Sequence, residues 1–253
     1  MKVVILAGGF GTRISEYTDV IPKPMIRIGN EPIINHIMTI YSKHGFNDFI
    51  IALGYKSEVI KEYFLNFKNL NSDLEINLKD GTKNFLKTTE IDWNIKLVNT
   101  GKSSMTGGRI LRLKRYIGNE TFMLTYGDGV SDINIKKLIE FHKNNSKVAT
   151  VTAVRPVARF GELQIKDKNV ISFSEKPQTQ KGWINGGFFV FEPEIFDYLE
   201  NDNTVLEKEP LINLSSENKL AAYQHNGFWH CMDTKRDKLI LDSLCNDKKP
   251  PWK

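Results

Sequence analysis

The sequence predicts an α/β fold in which a mostly parallel β-sheet is flanked by helices. Short apolar runs alternate with helical patterns along the chain, which is typical of parallel strands joined by helices. The first run, residues 3–7, is apolar throughout, as expected for a strand covered on both faces. No linker rich in proline, glycine or serine and no internal repeat interrupts the 253 residues, so we expect a single domain over residues 1–253.

Hydrophobic periodicity assigns the other elements of this fold. Further strands are predicted at residues 49–53, 95–99, 121–125, 149–154 and 187–191. Helices are predicted at residues 30–44, 57–67, 108–116, 135–142 and from 233 onward. Two β-hairpins are predicted outside the main sheet, one pairing 74–79 with 82–87 and the other pairing 163–165 with 170–173.

Polar residues and glycines predict where the helices begin and end. Asn30, Ser57 and Asp132 are predicted N-caps, because their side chains can accept hydrogen bonds from the first free backbone N–H groups of a helix. Gly45 and Gly118 are predicted to end helices, since glycine readily adopts the left-handed conformation that follows a last turn.

Charge and composition exclude several classes of protein. The chain has 35 basic and 30 acidic residues, and the excess is spread along it without a nucleic-acid reading motif. No apolar run approaches the ~20 residues of a membrane span, and the apolar start lacks a signal-peptide cleavage site. Cys231 and Cys245 are predicted to be free thiols. We therefore expect a cytoplasmic protein that binds neither nucleic acid nor membranes.

A glycine-rich loop, residues 8–13, directly follows the first predicted strand. Its glycines would let backbone N–H groups approach an anion, at the sheet edge where open α/β folds bind ligands. Arg13 and Lys23 add cations suited to phosphates. The dinucleotide and P-loop motifs are excluded, because Ile14 and Lys96 stand where those motifs require glycine. The alternative is a tight turn with a solvated arginine.

Two aspartates are candidate metal ligands. Asp128 lies in a polar turn at the end of a predicted buried strand, where a carboxylate could hold Mg²⁺ together with substrate phosphates. Asp233 precedes the last predicted helix and is the candidate second ligand. Its alternative role is a plain N-cap, since aspartate is a preferred cap.

A third group of polar residues suits a sugar phosphate. Glu175 and Asn185 offer a carboxylate and an amide to vicinal hydroxyls, and Lys176 offers a cation to a phosphate. A surface salt bridge is the alternative explanation for Glu175 and Lys176.

Together these motifs resemble the sugar-phosphate nucleotidyltransferase family over essentially the whole chain. The resemblance rests on residues 6–13, 22–25, 100–109, 125–132, 184–189, 227–234 and 251–253. The opening motif is common to the superfamily. The runs T-G-x-x-x-M-T-G-G-R at 100–109 and F-W-x-x-M-D-T at 228–234 are more specific, and they resemble members that use CTP and glucose 1-phosphate.

The resemblance implies a Rossmann-like sheet of the nucleotide-diphospho-sugar transferase type, with Mg²⁺ held by Asp128 and Asp233. It implies catalytic roles for Arg13 and Lys23. It implies nucleotide contacts from Leu6, Ala7, Gly8, Gly9, Phe10, Gly11, Thr12, Arg13, Lys23, Ser104, Arg109 and Asp128. It implies sugar-phosphate contacts from Glu175, Lys176 and Asn185. One local departure from the family is His230-Cys231, where the resemblance leads us to expect glutamine-proline.

The activity that the resemblance implies is cytidylyl transfer from CTP to α-D-glucose 1-phosphate. The products would be CDP-glucose and pyrophosphate, for the modified sugars of surface polysaccharides such as the O-antigen of lipopolysaccharide. The resemblance also implies a closed homo-oligomer, a trimer or a hexamer. Three alternatives stay open: another triphosphate (UTP, dTTP or GTP), another sugar (a heptose or mannose), and a catalytically silent regulatory subunit that senses nucleotide sugars.

Overall fold

The computed structural model describes residues 1–87, 90–156, 162–174, 182–246 and 250–253. The strands are, in chain order, β1 Val3–Leu6, β2 Arg27–Ile28, β3 Glu31–Pro32, β4 Asp48–Leu53, β5 Asp73–Ile76, β6 Lys83–Lys87, β7 Asn94–Asn99, β8 Phe122–Tyr126, β9 Gly129–Ser131, β10 Ala149–Val154, β11 Glu162–Lys166, β12 Asn169–Ser174, β13 Ile184–Phe191, β14 Leu220–His225 and β15 Trp229–Cys231. The α-helices are α1 Ser15–Thr18, α2 Ile33–Ser42, α3 Ser57–Leu65, α4 Phe67–Leu70, α5 Thr106–Arg112, α6 Lys114–Ile117, α7 Ile135–Asn145, α8 Glu209–Ser216 and α9 Lys235–Asn246. Short 3₁₀ helices lie at Thr12–Ile14, Lys23–Met25 and Pro193–Tyr198.

The main sheet has seven strands within the described residues, in the order β14-β10-β13-β8-β1-β4-β7. The pairs β1–β8, β1–β4, β4–β7 and β10–β14 are parallel, whereas β13 is antiparallel to both of its neighbours. The predicted mostly parallel sheet flanked by helices is confirmed. The reversal of β13 places its first residues at the same edge as the last residues of β8.

Helices cover both faces of this sheet, which explains why β1 is apolar without alternation. Val3 and Ile5 belong to one buried cluster, with residues of α2, α3, α7 and α9. Val4 and Leu6 point to the opposite cluster, with residues of α5, α6 and α8. Burial of each such side chain contributes about 1.5–3 kcal/mol, so the central strand is a main source of stability.

Both predicted hairpins are present. In the first, β5 pairs with β6, and the last bond between the two segments runs from Asn77 N to Thr82 O. Residues 78–81 therefore form the connection, which is longer than the predicted two residues. In the second, β11 pairs with β12, and the turn residues Asp167 and Lys168 have φ values of 49° and 69°. Positive φ at both central residues is the geometry that fits a two-residue turn to twisted strands.

Two predicted N-caps on the first half of the chain are wrong. Helix α2 begins at Ile33 with the extended Pro32 at the cap position, so Asn30 lies too early in the chain to cap it. Ser57 is the first residue of α3, and the left-handed Lys56 precedes it, with φ of 48°. Neither helix has a side-chain hydrogen bond at its cap.

The third predicted cap, Asp132, is also wrong. Asn134 caps α7 instead, because its side chain accepts a hydrogen bond from Lys137 N at 3.0 Å. The Asp132 carboxylate contacts His225 Nε2 at 2.8 Å. The two predicted C-terminal helix ends agree with the structure, since Gly45 and Gly118 both have positive φ after α2 and α6.

The helices are short. The longest in the described part of the chain, α9, has 12 residues. None of the described helices combines the length and the apolar character that crossing a membrane requires.

Gly108 on α5 packs directly against the chain that precedes α8. A Cβ atom at this position would lie 2.4 Å from Asp202 O and 2.6 Å from Asp202 Cα. We expect Gly108→Ala to lower the free energy of unfolding by about 1–3 kcal/mol, because this overlap outweighs the better helix propensity of alanine.

Urea unfolding followed by circular dichroism measures this change. Lys136→Ala, on the exposed face of α7, is the matched control and should leave stability within about 0.5 kcal/mol. Wild-type stability for Gly108→Ala would contradict the close packing of α5 against Asp202.

Candidate active site

A cavity of about 610 Å³ opens at the carboxyl ends of β1 and β8. It is lined by Leu6, Ala7, Gly8, Gly9, Phe10, Gly11, Thr12, Arg13, Lys23, Pro24, Lys102, Ser103, Ser104, Met105, Thr106, Arg109, Tyr126, Gly127, Asp128 and Asp233. Every residue predicted to contact a nucleotide therefore lies in one cavity, together with the second predicted metal ligand. Its volume suits a small organic ligand.

The glycine loop after β1 forms one wall of this cavity. Gly11 is in the left-handed conformation with φ of 66°, and an added Cβ would lie 2.7 Å from Thr18 Cγ2. The Thr18 hydroxyl also donates a hydrogen bond to Gly11 O at 3.1 Å. Phe10 is 46% exposed and contacts Tyr55, with ring centroids 5.2 Å apart. The backbone path of the loop thus requires glycine at position 11.

Lys23 joins the two predicted metal ligands. Its Nζ lies 2.7 Å from Asp128 Oδ2 and 2.7 Å from Asp233 Oδ1. Arg13 Nη1 lies 3.0 Å from Asp233 Oδ2. Two cations and two carboxylates thus meet at the cavity wall, although Lys23 is separated in sequence from the aspartates by 105 and 210 residues.

These contacts change the ionisation of the groups involved. Burial opposes charge on Lys23, but the attraction of Asp128 and Asp233 outweighs it and raises the pKa of the lysine. Burial likewise opposes charge on Asp233, yet its bond to Lys23 and the nearby charge of Arg13 lower the pKa of this carboxyl. Lys23 and Asp233 are therefore both charged at neutral pH.

A small two-stranded sheet holds the aspartates next to each other. β9, directly after Asp128, pairs with β15, and Met232 N donates to Asp128 O at 2.9 Å. His230 and Cys231, the residues that depart from the family pattern, lie within β15 and pair with Val130 and Gly129. With these two residues in place, β15 still pairs with β9, and both carboxylates contact Lys23.

Cys231 lies beside the site without being a reactive thiol. Its Sγ is 3.7 Å from Asp233 Oδ2. Burial and the negative charges of Asp128, Asp233 and Asp237 raise the pKa of the thiol to about 12, so it stays protonated and a poor nucleophile at neutral pH. The structure also confirms that Cys231 and Cys245 are free.

The start of α9 leaves the Asp233 carboxylate available to the cavity. Asp237 Oδ2 accepts hydrogen bonds from the backbone N–H groups of Asp233 and Thr234 at 3.1 and 2.8 Å. Asp237 N in turn bonds Thr234 Oγ1, at 3.3 Å, which is a capping box. Asp237, not Asp233, therefore accepts the free backbone N–H groups at the start of α9. The pattern T-x-x-D at residues 234–237 is the sequence signal that indicates this cap.

Arg109 joins the glycine loop to the segment after β7. Its guanidinium donates hydrogen bonds to Gly8 O at 2.8 Å, Gly101 O at 2.7 Å and the Thr100 hydroxyl at 2.9 Å. Gly8 and Gly54 make room for it, because a Cβ at either position would lie 2.5 Å or less from Arg109 Nη1. Arg109 lines the cavity as predicted, but its side chain also braces two backbone segments.

The predicted sugar-phosphate residues are only partly described. Glu175 and Lys176 lie outside the described residues. Asn185 is exposed on β13 and is connected to the cavity through Tyr126, whose Oη accepts a hydrogen bond from Asn185 Nδ2 at 3.1 Å. Tyr126 itself was not predicted as a site residue, and neither was Glu207, to which it donates a hydrogen bond.

Comparison with known proteins agrees with this geometry. The sequence profile of the family described as Nucleotidyl transferase matches residues 2–234. A glucose-1-phosphate cytidylyltransferase of Salmonella typhimurium is 50% identical over 100% of this chain and 99% of its own length. The enzyme of the same description from Salmonella typhi is also 50% identical, with the same coverage.

Solved structures show the same fold. The crystal structure of a UDP-glucose pyrophosphorylase in complex with UDP-glucose superposes with a TM-score of 0.68 and covers 98% of this chain and 99% of its own, at 19% identity. The family profile and the full-length relatives, together with the geometry of the cavity, establish the class of the protein. The chain belongs to the nucleotidyl transferase family and is a nucleotidyltransferase enzyme.

Proposed function

We propose that this enzyme transfers the cytidylyl group of CTP to α-D-glucose 1-phosphate and releases pyrophosphate and CDP-glucose. The observation that carries the proposal is the single cavity in which the glycine loop faces two cations and two carboxylates. The choice of CTP and glucose 1-phosphate is supported by the full-length relatives, which are glucose-1-phosphate cytidylyltransferases.

In this proposal the triphosphate lies along the loop of residues 6–13. Glycine at these positions allows a phosphate to approach the backbone closely, and the cavity walls supply the cations Arg13 and Lys23. Ser104 and Arg109 line the same cavity and would contact the nucleoside part of CTP. Arg109 would also hold the loop and the segment before Ser104 in place, through its hydrogen bonds to Gly8 O and Gly101 O.

The sugar phosphate would bind on the β13 side of the cavity. Asn185 is exposed there and carries an amide that suits a sugar hydroxyl. Glu175 and Lys176 complete the proposed sugar-phosphate site, with the lysine on the phosphate and the carboxylate on a hydroxyl.

Asp128 and Asp233 would hold Mg²⁺. Their oxygens both lie 2.7 Å from Lys23 Nζ, so a single cation near that position could contact both carboxylates. Among the described residues, no group of three or more His, Cys, Asp or Glu side chains is arranged to hold a metal. Two carboxylates plus substrate phosphates are a typical Mg²⁺ site, and the donor set fits.

The chemistry is an in-line displacement at the α-phosphorus of CTP. A phosphate oxygen of the sugar 1-phosphate forms the new P–O bond, and the bond to pyrophosphate breaks. The nucleophile is already anionic, so no general base is needed. Arg13 and Lys23 would stabilise charge that develops on the phosphates, and the bound Mg²⁺ would add Lewis-acid stabilisation.

We place this reaction in the cytoplasm, where CTP is available, as a step that supplies modified sugars for surface polysaccharides. The two free thiols agree with a reducing compartment.

We also propose that the enzyme is a homo-oligomer, a trimer or a hexamer, that associates through the first hairpin and the neighbouring helices. An apolar surface is exposed there, formed by Leu65, Leu70, Ile76, Leu78, Leu86 and Ile91. Leu78 is 93% exposed and Leu65 is 80% exposed. Exposed apolar side chains grouped on neighbouring elements of the chain favour burial against other copies of the protein.

The first prediction from this proposal concerns substrate choice. With Mg²⁺ and glucose 1-phosphate, we expect pyrophosphate release with CTP at least roughly tenfold faster than with UTP, dTTP, GTP or ATP. A coupled pyrophosphate assay measures it. A preference for another triphosphate would refute the assignment of CTP, and release only with another sugar phosphate would refute glucose. Failure with a full panel would favour a regulatory subunit.

The second prediction concerns the metal site. We expect Asp128→Asn to lower kcat roughly 10²–10³-fold and to weaken Mn²⁺ binding in the presence of CTP, because one of the two carboxylates is lost. We expect Lys23→Ala to strengthen Mn²⁺ binding without CTP, since Nζ no longer neutralises the carboxylates.

Electron paramagnetic resonance of free Mn²⁺ measures the binding in both cases. The matched control is Asp197→Asn, an exposed carboxylate away from the cavity. Unchanged Mn²⁺ binding by Asp128→Asn would remove Asp128 from the metal site.

The third prediction concerns assembly. Leu78→Lys combined with Leu86→Lys should shift the protein to a smaller species, because charge on the apolar surface prevents its burial. Size-exclusion chromatography with light scattering gives the mass. Ile212→Lys, at a residue of α8 that is 63% exposed, is the control and should not change the mass. A wild-type protein that is already monomeric would contradict the proposed oligomer.

A further inference from the structure

Glu207 connects two residues that line the cavity, although no motif in the sequence singles it out. It lies in the segment before α8, and its carboxylate accepts hydrogen bonds from two hydroxyls. Tyr126, at the end of β8, donates to Oε1, and Thr106, the first residue of α5, donates to Oε2 at 2.7 Å. Tyr126 and Thr106 both line the cavity. Glu207 thus holds two cavity-lining side chains from different elements, β8 and α5.

The chain of hydrogen bonds continues to Asn185. Asn185 Nδ2 donates to Tyr126 Oη at 3.1 Å, and Asn185 Oδ1 accepts from Gly187 N at 2.8 Å. Four polar side chains from β13, β8, α5 and the segment before α8 are therefore joined in one path that ends on the Glu207 carboxylate.

The direction of every bond in this path follows from the donors and acceptors that it joins. A carboxylate only accepts, so both hydroxyls must donate to it. The Tyr126 oxygen then has only lone pairs to offer Asn185, and the asparagine must present its NH₂ group. The bond from Gly187 N to Asn185 Oδ1 requires the same amide orientation. Burial and the charge of Glu207 raise the pKa of Tyr126, which keeps this donor protonated.

The surrounding structure fixes the Tyr126 ring and the backbone of Asn185. Gly187 has φ of 78°, and a Cβ there would lie 2.6 Å from Tyr126 Cδ2, so the ring packs directly on this glycine. Gly186 O accepts a hydrogen bond from Trp229 Nε1 at 2.7 Å. The backbone and Asn185 Oδ1, which accepts from Gly187 N, are therefore held without Glu207, and the path through Glu207 and Tyr126 fixes the second contact of the amide, from Nδ2 to Tyr126 Oη.

We propose that Glu207 is a positioning residue that holds the Asn185 amide as a hydrogen-bond donor toward the sugar of the sugar 1-phosphate. One hydrogen of the Asn185 NH₂ group is used by Tyr126, and the second is presented to an acceptor hydroxyl of the sugar. This inference rests on the proposed function, because it takes the β13 side of the cavity as the sugar site. It adds the role of Glu207, which touches no substrate itself.

Steady-state kinetics of Glu207→Ala test the role. We expect KM for glucose 1-phosphate to rise roughly three- to tenfold, the effect of one misdirected hydrogen bond, while KM for CTP changes less than about twofold. The melting temperature should stay near that of the wild type, because Glu207 is exposed and the backbone of Asn185 is held elsewhere. Glu209→Gln, at an exposed carboxylate two residues further along, is the control and should leave both KM values unchanged.

A double-mutant cycle with Asn185→Ala distinguishes positioning from an independent effect. Without the Asn185 amide, Glu207 has nothing to orient, so the rise in sugar KM from the double variant should equal that from Asn185→Ala alone. Additive effects would overturn the proposal. So would an unchanged sugar KM for Glu207→Ala, or an equal rise in both KM values.

A measurement without substrate separates this inference from the proposed function. In an NMR spectrum of ¹⁵N-asparagine-labelled protein, the Asn185 side-chain NH₂ signals are assigned by their loss in Asn185→Ala. We expect Glu207→Ala to shift these signals and Glu209→Gln to leave them in place. Unshifted signals would overturn the role of Glu207 even in an active enzyme. Shifted signals in an enzyme that does not use glucose 1-phosphate would support the positioning and refute the proposed substrate.

Discussion

The close approach of Asp128 and Asp233 is the constraint on which the rest of the site depends. Each carboxylate has an oxygen 2.7 Å from Lys23 Nζ, and two carboxylates brought this close to one point repel each other unless a cation lies between them. Lys23 supplies that cation. Their positions in turn require that β9 and β15 pair and that Asp237, not Asp233, satisfies the start of α9. The charge arrangement is thus a product of the whole sheet edge.

Arg109 is the second residue that organises the site, because it binds the backbone carbonyls of two segments. Its buried guanidinium gathers Gly8 O, Gly101 O and the Thr100 hydroxyl without a carboxylate partner. An arginine held in this way keeps its charge, so the glycine loop gains both a fixed shape and a positive potential behind it. Such a potential favours binding of an anion at the loop, in addition to the contacts that Arg13 and Lys23 can make.

Local patterns in the sequence predicted six of the seven strands of the main sheet, both hairpins, the glycine loop and Asp128, because each depends on neighbours in the chain, whereas β14 was missed and Ser104 and Arg109 came from the resemblance to the family. The run of glycines after β1 and the aspartate after β8 are examples. Long-range contacts were not predictable. Glu207 has no local signal, since its partners Tyr126 and Thr106 are 81 and 101 residues away. Caps such as Asn30 failed because an extended proline delays the start of α2.

The placement of Asp233 has a consequence for biosynthesis. Lys23 and Asp128 leave the ribosome long before Asp233, and the small sheet that positions the second carboxylate needs β15, which is translated late. A chain that has not yet reached residue 233 carries the residues of β1, β4 and the glycine loop, but it lacks the carboxylate that faces Asp128 across Lys23. Chains terminated before residue 233 therefore carry the loop and Asp128 without Asp233, so they lack the paired carboxylates that β9 and β15 hold next to each other.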